Sequence, residues 1–222
     1  MTPRDQTHTF LFADLAGFTA LTEAMGDEPA ADLAHEFFDA VRSLLPGHDA
    51  EEVKSIGDAL MIRGEDAANA VQLALRIVHE IGDRHYFPIV RAGLHTGPAA
   101  ERGGDWFGST VNTAARVSGV ASGKEVLLSA ATRETAGEVA GVEMRERGHE
   151  VLKNVAEPLL LYTALRAGER GDGTLPIDPV CRMAVDPRRA AGTLVHDGTE
   201  YHFCSLKCAA AFAARPERFA RE

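Results

Sequence analysis

The segment AGERGDGTLP, residues 167–176, divides this chain more sharply than any other feature of its sequence. Gly, Pro and charge replace any apolar period there, which is linker chemistry. We therefore expect a first unit over residues 1–166, a linker over 167–176 and a small second unit over 177–222. Charge and cysteine follow the same line. The second stretch, counted from residue 167, is neutral, so the whole net charge of −10 lies in the first part. That acidity argues against a nucleic-acid partner. All three cysteines, Cys181, Cys204 and Cys208, lie in the tail, and an odd number suggests metal or redox chemistry more than a disulfide framework. No apolar run approaches the roughly eighteen residues a membrane span needs, and residues 1–9 lack the apolar stretch of a secretory signal. A cytoplasmic location is the expectation.

Residues 8–13, HTFLFA, have the look of a buried strand, and residues 28–45 form an apolar helix face with Leu33, Phe37, Phe38, Val41, Leu44 and Leu45. Two apolar runs, 52–56 and 59–63, flank Gly57-Asp58, which is hairpin chemistry. A second amphipathic helix spans 67–81. Strands are expected near 89–95, 125–129, 142–147 and 159–162, with helices near 109–120 and 130–136. Strand and helix alternate, but the early hairpin favours a mixed or antiparallel sheet, so the predicted class is α+β, a ferredoxin-like βαββαβ sandwich.

Asp14 ends the first predicted strand and is followed by Leu15-Ala16-Gly17-Phe18-Thr19, a strand-to-helix turn. The backbone N–H groups of Gly17, Phe18 and Thr19 are suited to phosphate. Asp58 lies in the hairpin turn; if that hairpin pairs beside the first strand, the two carboxylates converge. Alone, Asp14 would read as a helix cap and Asp58 as a turn residue. Together they offer a site for divalent cations, which would turn an acidic wall into one that accepts a nucleoside triphosphate.

The runs FADLAGFTALTE (12–23), KSIGDALMI (54–62), RAGLHTG (91–97), DWFGSTVNTAARV (105–117) and LKNVAEPLLLY (152–162) stand in an order and spacing that resembles the class III nucleotidyl cyclase catalytic domain. The resemblance covers essentially all of residues 8–164. It implies that Asp14, Asp58 and the backbone carbonyl of Leu15 hold two Mg²⁺ or Mn²⁺ ions, and that Lys54 and Asp105 read the purine. A lysine donor with an aspartate acceptor complements the adenine edge, whereas guanine presents the reverse pattern, so ATP is the implied substrate. Asn112 and Arg116 match the transition-state pair, and their i, i+4 spacing puts both on one helix face. Lys153 stands at or near a triphosphate-binding lysine, with Asn154 where the family usually has glycine. His95 is read as structural. Gly103-Gly104-Asp105-Trp106 resembles half of a diguanylate cyclase signature, but that signature continues with an acidic and an aromatic residue, whereas here Trp106 and Phe107 lead into the 109–120 helix.

The implied reaction is attack of the ribose 3′-hydroxyl on the α-phosphorus, giving 3′,5′-cyclic AMP and pyrophosphate. In the resembled family each site takes its cation ligands from one chain and its purine and transition-state residues from the other. A head-to-tail homodimer with two shared sites is the expected assembly. The alternative is a catalytically weak nucleotide-binding signalling module.

Residues 178–218, DPVCRMAVDP through YHFCSLKCAAAFAARPERF, resemble the YHS family of small metal-associated modules, with Tyr201, His202 and Ser205 at the name-giving positions. Cys204 and Cys208 are four apart, which on a helix puts both sulfurs on one side. Cys181 would complete a three-thiolate cluster, with His202 as a further ligand for zinc or copper. The tail is then expected to sense metal or redox state.

Overall fold

A computed structural model of the chain describes residues 7–84, 87–169, 176–180 and 185–220. Linker positions 170–175 and Cys181 lie outside the described residues. Strand β1 (Thr7–Leu15) lies inside a seven-stranded sheet whose remaining members are β2 (Ala50–Ile56), β3 (Ala59–Gly64), β4 (Val90–Pro98), β7 (Val126–Ser129), β8 (Val142–Glu150) and β9 (Leu159–Arg166). The order is β2-β3-β1-β4-β7-β9-β8, antiparallel except for β4 with β7. This is the expected α+β sandwich.

Alternate residues of β1 enter two different cores. Leu11, Ala13 and Leu15 join Phe37 and Val41 of helix α2 (Asp27–Arg42) and Val71 and Ala74 of α3 (Ala67–Arg76). Phe10 and Phe12 instead meet Val111 and Ala114 of α4 (Ser109–Val120). A strand covered on both faces reads as an unbroken apolar run, which is why HTFLFA lacks alternation.

The predicted 28–45 helix ends early, at Arg42, and Leu45–His48 forms a 3₁₀ turn. Pro46 explains this, because it has no N–H to donate to the Arg42 carbonyl and its ring crowds that carbonyl. A separate helix α1 (Phe18–Met25) precedes α2, divided from it by Gly26 at φ 94°. The 67–81 helix is α as far as Arg76 and widens to a π turn over Ile77–Ile81. A short hairpin not foreseen, β5 (Ala100–Arg102) with β6 (Asp105–Phe107), turns on Gly103 and Gly104.

The glycines of RAGLHTG position α4. A Cβ on Gly93 would lie 2.0 Å from the Ser118 amide nitrogen, so β4 and α4 touch backbone to backbone. With α4 seated by its buried side, Asn112 and Arg116 are left exposed on its outer face.

In the tail, β10 (Gly192–His196) pairs with β11 (Thr199–Phe203), followed by α6 (Leu206–Ala214) and α7 (Pro216–Phe219). Phe212 is its centre, with ring centroids 4.8 Å from Tyr201 and 5.2 Å from Phe203. Leu21 of α1 packs into the same cluster, so the first unit contributes to the core of the second. No helix among the described residues is long and apolar enough to cross a membrane.

Candidate active site

Pairing of β1 with β3 brings Asp14 next to the β2–β3 turn that carries Asp58. The Leu15 amide donates to Asp58 Oδ2 at 3.3 Å, which ties the two segments together. Burial pushes both carboxyls above the ordinary aspartate range; Arg91 opposes this at Asp14, while the Asp14 charge adds to it at Asp58. A desolvated acid pair of this kind is a hard oxygen-donor set that gains from a divalent cation. The start of α1 beside it has Gly17 at φ 84°, no side-chain cap and no acidic residue in its first turn. No acidic side chain of its own first turn competes for its first N–H groups.

Sequence reading did not single out Arg91. It lies opposite Asp14 in the β1–β4 register, and its guanidinium grips the carboxylate at both oxygens, Nε to Oδ1 at 2.5 Å and Nη2 to Oδ2 at 3.1 Å. Its Nη1 donates to the carbonyls of Ala121 at 3.1 Å and Gly119 at 3.4 Å. Its place at the head of RAGLHTG, on a strand antiparallel to β1, is the signal that would have found it.

Lys54 and Asp105 are brought together from β2 and β6, Nζ to Oδ2 at 2.6 Å, with Phe107 below the ammonium at 5.8 Å. The Lys54 ammonium holds the Asp105 carboxyl below its usual range. Asn112 and Arg116 share the exposed face of α4, and among the described residues no side-chain hydrogen bond or ion pair joins either to Asp14 or Asp58. Lys153 is exposed in a turn where Asn154 adopts φ 64°; asparagine is the residue that best replaces glycine there. Among the described residues no ion pair brings Lys153 to the acid pair. His95 is largely buried and its Nδ1 meets Ser129 Oγ at 2.7 Å, a structural contact.

In the tail, Cys204 is not on the helix: Ser205 is the N-cap of α6, its side chain accepting from the Cys208 amide. The cap turn nevertheless leaves the sulfurs of Cys204 and Cys208 3.8 Å apart. The third group is one that sequence reading missed, Asp178. One ligand atom each from Asp178, Cys204 and Cys208 lies within 4.8 Å of the others. Asp178 is buried, and its oxygens accept from the amides of Val180 and Cys204 at 2.8 and 2.9 Å. His202 stands elsewhere. Strand alternation separates it from Tyr201 and Phe203, and its ring is held by Glu200 at 3.2 Å and Thr193 at 3.4 Å.

The fold with this acid pair defines a nucleotide cyclase architecture. The chain belongs to the adenylate and guanylate cyclase catalytic-domain family, whose model matches residues 2–163, and a YHS domain model matches residues 177–222. A pH-sensitive adenylate cyclase of Mycobacterium tuberculosis is 36% identical over 165 residues, 73% of this chain and 41% of the relative. An adenylate cyclase of Streptomyces griseus is 31% identical over 177 residues, covering 79% and 44%. The chain thus spans less than half the length of these curated relatives. Among solved structures, an adenylate cyclase from Trypanosoma brucei in its monomeric state superposes with TM-score 0.66 at 25% identity, covering 75% of this chain and 93% of that one. The adenylyl cyclase CyaB from P. aeruginosa matches in fold at TM-score 0.63, with 22% identity and coverage of 75% and 96%.

Proposed function

We propose that the chain is an adenylate cyclase that converts ATP to 3′,5′-cyclic AMP and pyrophosphate. The observation that carries this reading is the half-buried Asp14–Asp58 pair beside the uncapped start of α1. Two Mg²⁺ or Mn²⁺ ions held there, with the Leu15 carbonyl as a further ligand, would acidify the ribose 3′-hydroxyl and take up charge on the departing phosphates. The N–H groups of Gly17, Phe18 and Thr19 receive the triphosphate, helped by Lys153. Lys54 donates to adenine N1 and Asp105 accepts from its exocyclic amine. Asn112 orients the ribose, and Arg116 braces the α-phosphoryl oxygens with a planar, permanently charged group.

The purine and transition-state residues serve the acid pair of a second chain, in a head-to-tail homodimer. Two features support this. Asn112 and Arg116 face outward on α4, and Ile56 and Phe107, flanking the Lys54–Asp105 pair, leave 52% and 50% of their surface in water in a single chain. Incubation with ATP and Mn²⁺ should yield cyclic AMP and pyrophosphate in equal amounts, with GTP consumed far more slowly. ADP with inorganic phosphate, or no product at concentrations where chains associate, would overturn the reading.

The tail cluster of Asp178, Cys204 and Cys208 has the donor set of a thiophilic divalent ion such as zinc or copper, and a module this small gains folding stability from one. Elemental analysis of the full chain is expected to find about one such ion per chain, in keeping with a single thiolate cluster. The ion should be lost when Cys204→Ser and Cys208→Ser are combined. A metal-free chain after growth with zinc and copper would contradict the assignment.

A further inference from the structure

Lys124 sits between the two units and has an unusual backbone. It lies in the loop joining α4 to β7 at φ 65°, a conformation that favours glycine and that a lysine adopts at a cost. The side chain shows what the cost obtains. Its Nζ lies 2.8 Å from Oδ2 of Asp186 in the C-terminal unit and 2.8 Å from Oδ1 of Asp83 in the first. Asp186 is only 4% exposed at its side chain, so this is a sheltered contact rather than a solvated surface pair. Beside it, Arg189 of the tail donates to the Gly82 carbonyl at 2.7 Å and to Asp83 at 3.3 Å, and also reaches the Arg84 carbonyl.

The same loop supports Arg91, the arginine that grips Asp14. The Lys124 amide donates to the Val90 carbonyl at 2.9 Å, one residue before Arg91. The loop's first carbonyl, on Ala121, accepts from Arg91 Nη1, while Nε and Nη2 of that guanidinium close on Asp14. A second contact joins the tail to the helix that follows the acid pair. Leu21 of α1, the helix that follows Asp14 and Leu15, is packed among Phe203, Cys208 and Phe212 of the tail.

We propose that Lys124 is a positioning residue: clamped by Asp186 of the C-terminal unit, it fixes the loop that holds the Arg91 guanidinium on Asp14. The docked tail thereby sets how much divalent cation the site requires. The inference rests on the reading of Asp14 and Asp58 as cation ligands. On this proposal a cation and the Arg91 guanidinium compete for the Asp14 oxygens, so a contact that stabilises Arg91 on Asp14 weakens cation binding. Releasing the clamp should therefore favour the cation.

The test is Mn²⁺ binding to the full chain, followed by loss of the free-ion EPR signal without nucleotide, so that no turnover is needed. The relevant binding is the part abolished by Asp58→Ala. Lys124→Gly relieves the φ 65° backbone but gives up the sheltered ion pair, so melting midpoints are measured beside binding, and Lys124→Arg, which keeps the charge, separates loss of the clamp from loss of fold. We expect Lys124→Gly and Asp186→Asn each to tighten Mn²⁺ binding by roughly fivefold, at the low end of couplings between sites. The double variant should add little, and Lys124→Arg should restore parental binding. Unchanged or weaker Mn²⁺ binding in both single variants overturns the clamp while leaving the cation site standing. Absence of any binding that depends on Asp58 overturns both.

Discussion

Replacing Lys54 with glutamate and Asp105 with asparagine together should reverse the nucleotide preference from ATP to GTP. The two side chains meet at 2.6 Å at the hairpin ends, so one base edge falls within reach of both. Guanine presents an N1–H donor and an O6 acceptor where adenine presents an acceptor and a donor, so the pair must exchange roles. Each mismatched polar group costs about 1 to 3 kcal/mol. With two such groups, the ratio of kcat/KM for ATP over GTP should fall by about 100-fold or more. The single variant Lys54→Ala should lose discrimination without gaining GTP turnover. Both side chains are about a third exposed, so the substitutions should leave the melting midpoint nearly unchanged. A double variant that keeps its ATP preference would remove this pair from base recognition.

The sheet and helices were legible where a local pattern determines them. The run at 8–13 and the apolar face of 67–81 give strand and helix within a few residues, as does the helix expected near 109–120. Departures have local causes: Pro46 ends the long helix, Gly26 divides it from α1, and the three-residue strands β5 and β6 are too short to show alternation. The acid pair was legible because a hairpin turn and a strand end can be read separately and then paired. Arg91 was not, since it meets Asp14 across 77 residues of sequence through strand register. Asp178 escaped for a related reason. It joins the thiols from 26 residues upstream, in a chain whose cysteines and histidine drew attention first. His202 carries the right chemistry, but its ring is engaged by Glu200 and Thr193, while the group of converging ligand atoms is Asp178, Cys204 and Cys208. The Lys124–Asp186 contact spans 62 residues and two units, and no local pattern announces it.

Chains carrying Asp58→Ala and chains carrying Arg116→Ala should each be inactive, with cyclic AMP formation reduced by about 100-fold or more, because each lacks one half of every site. Mixed under conditions of subunit exchange, they should recover activity. A mixed pair holds one site with an intact Asp58 facing an intact Arg116, and one site lacking both. With random pairing about half the dimers are mixed and each has one working site, so recovery should approach about a quarter of parental activity. The exposure of Arg116 on the outer face of α4, where a second chain can reach it, is the physical basis for this expectation. The measurement is cyclic AMP formed from ATP and Mn²⁺ by the two variants, alone and mixed, against the parent chain. Recovery toward a quarter supports a cyclase whose cation-binding acids and transition-state arginine come from opposite chains; a mixture as inactive as either variant, with exchange demonstrated, contradicts it.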